Sequence, residues 1–309
     1  MRQLEPHIER LANASYPLGL QWFPAAPLLR RFVCHYWLLR RADNGRCQHE
    51  LLHPENGSGI VFHLGGRLVI DGESWQETVV YTGSHTRTLP LEMSGEVQAF
   101  GVRFKPGGAA ALSGAVVELK NQYALLSELG CGGVSALHQQ LAEASSAQEM
   151  VVRVESWLLR HLRSDYELAS PVMEALGFMA DARGMVGIES VAEQLSLGRR
   201  SLERMFRNSL GITPKECTNA YRIGEARHLL MSSTESGADI ANQLGYSDQA
   251  HFIRQFRQVV GLTPSQYRQR DRCQPSGESE SGAVFRRPTT IALARLIRSH
   301  NEVSTTADT

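Results

Sequence analysis

The strongest constraint on the fold is a pattern that occurs twice between residues 187 and 270. Each copy has a short segment with one apolar face, then an amphipathic segment that contains Phe-Arg, then Gly-x-Thr-Pro. The last motif falls at residues 211–214 and again at 261–264, so the later parts of the copies are 50 positions apart. Two copies are too few for a solenoid. The repeat therefore predicts two similar helical units within one domain.

Each copy has the features of a helix, a tight turn and a second helix. Apolar residues recur at three and four positions in both segments, as Phe206 and Leu210 do in the first copy. We expect Gly198 to make the first turn and Gly245 the second, because glycine accepts a positive φ. A short helix, a glycine-bearing turn and a second helix predict a helix-turn-helix, whose second helix enters the DNA major groove.

The polar faces of the two second helices suit DNA binding, because arginine commonly contacts guanine edges and glutamine can bond adenine. The residues predicted to contact bases are Arg199, Arg200, Glu203, Arg204, Gln249, His251 and Arg254. The residues predicted to contact phosphates are Arg207, Ser247 and Arg257. The alternative is a helical bundle with ordinary solvated faces, and the matching ends of the two copies argue against it.

Residues 240–268 contain I-A-x-x-L-G-Y-S-D-x-x-H-F-x-R-x-F-R-x-x-x-G-x-T-P-x-x-Y-R, which resembles the signature of the AraC/XylS transcription regulators. Residues 222–230 resemble the helix that connects the two units in that family, and this helix is expected at about residues 217–231. The resemblance implies a DNA-binding domain at residues 168–271, with helix-turn-helix units at 188–209 and 237–260. It also implies double-stranded DNA and RNA polymerase as partners.

Three residues depart from the family pattern. Gly198 stands where the family usually has a serine that caps the first recognition helix, so this helix is expected to start less firmly. Ile253 replaces a small polar residue and removes a potential DNA contact. Cys217 takes a position that is often tyrosine, which is a change in the core.

Residues 1–165 have a different character. Short segments rich in β-formers fill residues 20–105, with strands predicted at 32–39, 59–64, 67–70 and 77–81 among them. Amphipathic helical segments follow at 107–163. The G-V-R-F-x-P-G-G motif at 101–108 resembles the sensor region of one AraC/XylS subgroup, which implies a cupin-like β-barrel or sandwich. The predicted fold class is therefore α+β in two domains, with an all-α second domain.

A small-molecule effector is expected to bind in the first domain. Aromatic side chains on its strands could line the pocket, although aromatic residues on strands can equally be plain core. The residues predicted to line it are Trp22, Tyr36, Trp37, Phe62 and Trp75.

The sequence predicts no enzyme, cofactor or metal site. Histidines and glutamates such as His49, Glu50 and His53 lie close in sequence, but no distant ligand joins them in a recognisable spacing. Signatures of phosphate loops and nucleophile elbows are absent from the sequence. Two alternatives stay open: a cupin-like metal enzyme fused to a DNA-binding module, and a regulator whose first domain only dimerises.

The apolar face of residues 149–162 is unusually wide. It either covers the sheet or forms a homodimer contact that involves Trp157 and Leu158. The tail at 272–309 has a composition typical of disorder, with one short helix predicted at 291–297.

Composition limits the compartment and the partners. The formal net charge is zero, yet residues 185–272 hold 12 Arg and Lys against 9 Asp and Glu, which favours phosphate binding. No apolar run is long enough to span a membrane, and no signal peptide is expected. The five cysteines form no C-x-x-C pair, so reduced thiols in the cytoplasm are expected.

Overall fold

The computed structural model describes residues 19–76 and 78–272 and divides them into two units. The first unit takes most of the chain up to Glu167, and the second takes the chain from Leu168 onward. The predicted disorder at 272–309 and the predicted helix at 291–297 fall beyond Arg272, outside the described residues. Among the described helices, none has both the length and the apolar character required to cross a membrane.

An antiparallel sheet of eight strands forms the centre of the first unit, in the order β1-β2-β7-β4-β6-β8. β3 pairs with β7, and β5 pairs with β4. The strands are β1 Leu20–Pro24, β2 Val33–Arg41, β3 Gln48–Leu52, β4 Gly59–Ile70, β5 Glu73–Trp75, β6 Val79–Thr82, β7 Leu89–Phe104 and β8 Tyr123–Leu125. The predicted combination of a sheet with flanking helices is confirmed.

β4 is one continuous strand, whereas two strands separated by Gly65 and Gly66 were predicted. The register of β4 against β7 shifts on both sides of Gly65, so an irregularity absorbs the glycines without ending the strand. Gly66 has φ 78°, and a Cβ there would lie 2.1 Å from the Glu96 carbonyl oxygen. Glycine is therefore required by the backbone, and its presence does not mark a turn.

Two helices, α1 (Val134–Ala142) and α2 (Ala147–His161), pack on the sheet of the first unit. Met150, Val154 and Leu158 of α2 are fully buried in one core cluster with sheet residues such as Tyr36 and Phe100. This burial supports the interpretation that α2 covers the sheet.

Of the two alternatives for this face, the positions of Trp157 and Leu158 favour the one in which the helix covers the sheet. Both side chains are buried within their own unit, and the Trp157 Nε1 donates to the Gly132 carbonyl at 2.9 Å. On α2 the large apolar side chains left in solvent are Val152 and Leu159, which are 54% and 51% exposed.

The second unit is helical throughout the residues that the structure describes from Leu168 to Arg272. Its helices are α3 Ser170–Asp181, α4 Ile188–Gln194, α5 Arg199–Leu210, α6 Pro214–Ser232, α7 Gly237–Gln243, α8 Gln249–Val260 and α9 Pro264–Arg272. The predicted connecting helix at 217–231 is α6, which begins three residues earlier, where Thr213 caps it and Pro214 starts it, and ends one residue later.

Helix α6 contributes to two separate cores. Cys217 and Tyr221, in its first half, pack with α3, α4 and α5. Ile223, Ala226 and Leu230, in its second half, pack with α7, α8 and α9. A single rigid helix therefore joins the two helix-turn-helix units, each of which has its own core.

Candidate nucleic-acid interface

The turns inside the two units are made by residues at corresponding places. Ser196 has φ 53° in the first unit, and Gly245 has φ 68° in the second. The prediction that Gly198 makes the first turn with a positive φ is wrong, since its φ is −73°. Ser196 adopts the left-handed conformation at the place where Gly245 does so in the second unit, although serine carries no sequence signal for it.

The second turn is one residue longer than the first. Four residues separate α4 from α5, and five separate α7 from α8. The extra residue explains why only the later parts of the copies keep an offset of 50. It also places Gly198 and Asp248 at equivalent positions, immediately before the two recognition helices.

The two recognition helices start differently. Gly198 precedes α5 and provides no side-chain cap, as the departure from the family pattern predicted. Before α8, an Asp248 carboxylate oxygen accepts a hydrogen bond from the His251 backbone amide at 2.6 Å. This hydrogen bond is the main cause that lowers the pKa of Asp248.

The repeated Gly-x-Thr-Pro motif ends one helix and starts the next. Gly211 and Gly261 close α5 and α8 in the left-handed conformation, with φ 71° and 82°. The Thr213 hydroxyl then accepts from the Glu216 amide at 3.2 Å, while Glu216 accepts from the Thr213 amide at 2.8 Å. This reciprocal capping box could have been found from Thr-x-x-Glu, a signal that sequence reasoning missed.

The second copy repeats that capping arrangement. The Thr263 hydroxyl accepts from the Gln266 amide at 3.3 Å, and the Gln266 side-chain oxygen accepts from the Thr263 amide at 2.9 Å. The repeated motif thus fixes the direction in which α6 and α9 leave the recognition helices.

The buried and exposed faces of α5 and α8 agree with the helical spacing. Leu202, Phe206 and Leu210 are buried on α5, and Phe252, Phe256 and Val260 are buried on α8. The opposite faces carry exposed arginines, namely Arg200, Arg204 and Arg207 on α5 and Arg254 and Arg257 on α8. Arg204 corresponds to Arg254, and Arg207 to Arg257, whereas Ala250 stands at the position equivalent to Arg200.

Four of these arginines have free guanidinium groups within the described chain. The side chains of Arg200, Arg204, Arg207 and Arg257 make no hydrogen bond or ion pair with the described side chains and backbone of residues 19–76 and 78–270. The exposed arginines of α5 are spaced by four and three positions, and Arg254 and Arg257 of α8 are three positions apart, so each helix carries one basic stripe. The arrangement can bind phosphate oxygens and base edges.

Arg199 and Glu203 are engaged with each other. The Arg199 Nε donates to Glu203 at 3.0 Å, and its Nη1 donates to Glu189 of α4 at 2.5 Å. The hydrogen bond to Glu203 and the charge of Glu189 raise the pKa of Arg199. These contacts link α4 to α5, and they compete with the base contacts predicted for Arg199 and Glu203.

His251, Gln249 and Ser247 lie together at the start of α8. Gln249 and Ser247 are exposed, and His251 is half-buried with its ring 5.4 Å from the ring of Tyr246. The His251 Nδ1 lies 3.1 Å from the Ser247 hydroxyl. All three side chains thus flank the start of the second basic stripe.

The aromatic residues predicted to line an effector pocket do not share one face of the sheet. Tyr36 and Phe62 lie fully buried in the core cluster of the first unit. Trp37 follows Tyr36 on β2, so it points to the opposite face, and it stands directly across from Trp22. Trp75 is half-buried with its ring 5.6 Å from that of Tyr123. The pocket stays a prediction.

Two helix-turn-helix units that share a helix and carry exposed basic stripes define a DNA-binding protein of the helix-turn-helix class. The sequence matches a helix-turn-helix domain family over residues 191–270 and a domain of unknown function (DUF6597) over residues 21–124. It is 40% identical over 241 residues to the HTH-type transcriptional activator RhaS of Shigella sonnei, covering 72% of this chain and 85% of that protein. The chain belongs to the AraC/XylS family of transcription regulators.

Other known proteins match a shorter part of the chain. The RhaS activator of Escherichia coli is 42% identical over 84 residues, which are 27% of this chain and 30% of that relative. The chain thus matches about a third of the length of that relative. A solved AraC-type regulator from Chromobacterium violaceum is 29% identical, with a TM-score of 0.31, and covers 34% of this chain and 94% of its own.

Proposed function

We propose that the chain is a sequence-specific transcription regulator that inserts α5 and α8 into two successive major-groove segments of double-stranded DNA. The observation that carries this proposal is the pair of basic stripes on two helices whose cores share α6. Equivalent residues at the two sites, such as Arg204 and Arg254, would then face DNA in the same way.

The length of α6 supports contacts about one turn of DNA apart. Its 19 residues give a helix of about 28 Å at 1.5 Å per residue. Successive major-groove segments on one face of DNA repeat every ~34 Å. The packing of α5 and α8 against α6, or a bend of the DNA toward the protein, supplies the remaining distance.

The exposed arginines divide into two roles along each helix. Arg200, Arg204 and Arg254, nearer the start of each recognition helix, are the candidates for base contacts together with Gln249 and His251. Arg207 and Arg257 lie a turn further along, where phosphate contacts are expected. Arg199 reaches a base only when its pairs with Glu189 and Glu203 open.

The test compares three arginine variants on a cognate duplex and a scrambled duplex across a salt series. Arg204→Ala should cost about 1–3 kcal/mol on the cognate duplex and relax preference at one base position. Arg257→Ala should weaken binding to both duplexes similarly and flatten the salt dependence. Arg160→Ala, an exposed site on α2 in the first unit, removes the same charge and should leave binding unchanged.

Two outcomes would contradict this assignment. Equal losses on both duplexes for Arg204→Ala would make Arg204 a phosphate contact. Unchanged cognate binding after substitution of Arg254 and Gln249 together would make the second unit a scaffold, and the two-site proposal would fail.

We also propose that the first unit senses a small molecule. A small-molecule effector that binds in the first unit would increase the population of the form that binds DNA. The regulator would act in the cytoplasm, and RNA polymerase would be its partner at the promoter. A thermal-shift screen of metabolites should find a stabilising compound. If a chain without residues 1–165 regulates its target with the same response to the effector, the first unit is not the sensor. Dimerisation would then be the alternative role for the first unit.

A further inference from the structure

The first unit brings together three side chains that sequence spacing did not connect. Cys47 immediately precedes β3 and His49 is its second residue, so the two lie two positions apart, the spacing at which extended chain places side chains on one face. Glu92 of β7 is the register partner of His49, directly across the antiparallel pair. The Cys47 Sγ, a His49 ring nitrogen and a Glu92 carboxylate oxygen all lie within 4.8 Å of one another.

We propose that Cys47, His49 and Glu92 bind one zinc ion. Zinc bonds of about 2.0–2.3 Å in tetrahedral geometry place neighbouring ligand atoms roughly 3.3–3.6 Å apart. The His49 Nδ1 lies 3.9 Å from the Glu92 Oε1, so small side-chain rotations bring these atoms to that spacing. The His49 and Glu92 side chains are 65% and 48% exposed, so solvent surrounds much of each side chain.

The types of ligand select the metal. A thiolate and an imidazole favour zinc over magnesium and calcium, which prefer sets made only of oxygen. Three protein ligands leave the fourth zinc position for water, and the exposure of all three residues allows water to reach it.

The backbone around Cys47 is held in place by Arg41, whose buried guanidinium binds four groups. It donates to the Arg46 carbonyl at 2.6 Å and to the Gln48 side-chain oxygen at 3.3 Å, on either side of Cys47. It also donates to the Asn44 side chain and to the Gly95 carbonyl, at 2.5 and 2.8 Å. Gly95 belongs to the same strand as Glu92, so one side chain fixes the segment before β3 relative to β7.

Zinc alone is the probe for the test, with full-length reduced protein stripped of metal and titrated against a chromophoric chelator. One zinc per chain is expected. Cys47→Ser, His49→Gln and Glu92→Gln should each weaken zinc binding at least about 10-fold. A change in a residue that only supports a metal ligand already costs about that much, so the loss of a ligand should cost no less. Circular dichroism should show an unchanged fold, because all three positions are exposed.

Matched controls separate this site from other ligands in the chain. Cys34→Ser, on β2, and Glu96→Gln, an exposed residue of β7, should keep the original zinc affinity. Cobalt in place of zinc should give a thiolate charge-transfer band that Cys47→Ser abolishes and Glu92→Gln retains. Zinc bound with unchanged affinity by the triple variant, or equal losses in the controls, would overturn the proposal, which is independent of DNA binding.

Discussion

At the scale of single residues, the two recognition helices differ most at the position that precedes each of them. Gly198 has φ −73° and ψ 144°, which any residue adopts, and an added Cβ would meet no atom within 4 Å. Gly198→Ser should therefore stabilise the protein by about 0.3–1 kcal/mol, because it adds a cap and reduces the freedom of the unfolded chain.

Gly198→Ala is the matched control, since it removes the same glycine but provides no hydrogen-bond acceptor. We expect the serine variant to be about 1 kcal/mol more stable than the alanine variant in denaturant unfolding. Equal stability of the two would show that α5 gains nothing from a capping hydroxyl.

Asp248 gives the start of α8 a dependence on pH. Its pKa is lowered in the folded protein, chiefly by the hydrogen bond from the His251 amide. A lowered folded pKa means that the stabilisation is present above the unfolded value of about 3.9 and is lost as the pH falls through the folded value. NMR should show the His251 amide shift titrating in this acidic range.

Asp248→Asn provides the comparison for that titration. Asparagine is about as good a helix cap as aspartate, but its side chain does not ionise. The His251 amide should stay in its capped position in the variant without the acid transition. A transition that persists in Asp248→Asn would assign it to another carboxyl group.

The arginine faces were predictable from the sequence, while several local features were not. Apolar residues at three and four positions, such as Phe206 and Leu210, leave only one solvent face for Arg204 and Arg207. Ser196 gave no such indication, because residues other than glycine seldom adopt a positive φ and serine does not mark one. The association of Cys47 and His49 with Glu92 depends on the register of β3 and β7, which the sequence does not reveal.

At the scale of elements, α6 contains a glycine at the boundary between its two cores. Gly224 follows Ile223, the first α6 residue in the second core, and Tyr221 is the last in the first. A Cβ at Gly224 would meet nothing within 4 Å, so alanine fits. Gly224→Ala should raise stability by about 0.5–1 kcal/mol, the usual cost of glycine inside a helix.

DNA binding by the same variant measures whether α6 bends at this boundary. If bound DNA requires such a bend, Gly224→Ala should weaken cognate binding while it raises the melting temperature. Gly177→Ala in α3 is the matched control, because that glycine also has open space but lies within a single core. Weaker binding by both variants would indicate a general effect of rigidity.

The elements of the first unit show where strand prediction succeeds and where it fails. β2 and β6 were found within two residues because β-branched and aromatic residues fill them. β4 was predicted as two strands, since a glycine pair in sequence does not distinguish an irregularity inside a strand from a turn. α3 was not predicted, because apolar residues such as Met173, Leu176 and Phe178 lie on more than one side of it and no single apolar face marks the helix.

At the scale of the whole molecule, self-association through α2 would require the side chains that α2 leaves in solvent. Val152 and Leu159 are seven residues apart and therefore lie on the same side of the helix. If a homodimer forms through α2, Val152→Glu with Leu159→Glu should give a folded monomer by light scattering. Leu158→Glu should instead unfold the first unit, because Leu158 is fully buried.

An unchanged dimer in the double variant would place the contact on another surface. Loss of folding in the double variant would contradict the exposure of both side chains. A monomeric native protein at the same concentration would remove α2 as a dimerisation element and leave its role as a cover for the sheet.

The continuous helix α6 also determines the angular phase of the two recognition helices. Inserting one residue in α6 turns one unit against the other by about 100° but adds only ~1.5 Å of length. On DNA with 10–10.5 base pairs per turn, a comparable rotation corresponds to roughly three base pairs, or about 10 Å along the axis. No change in half-site spacing can therefore accommodate both the added rotation and the added length of the helix. The proposed regulator would therefore tolerate substitutions along α6 far better than insertions, and its operators would keep one fixed spacing.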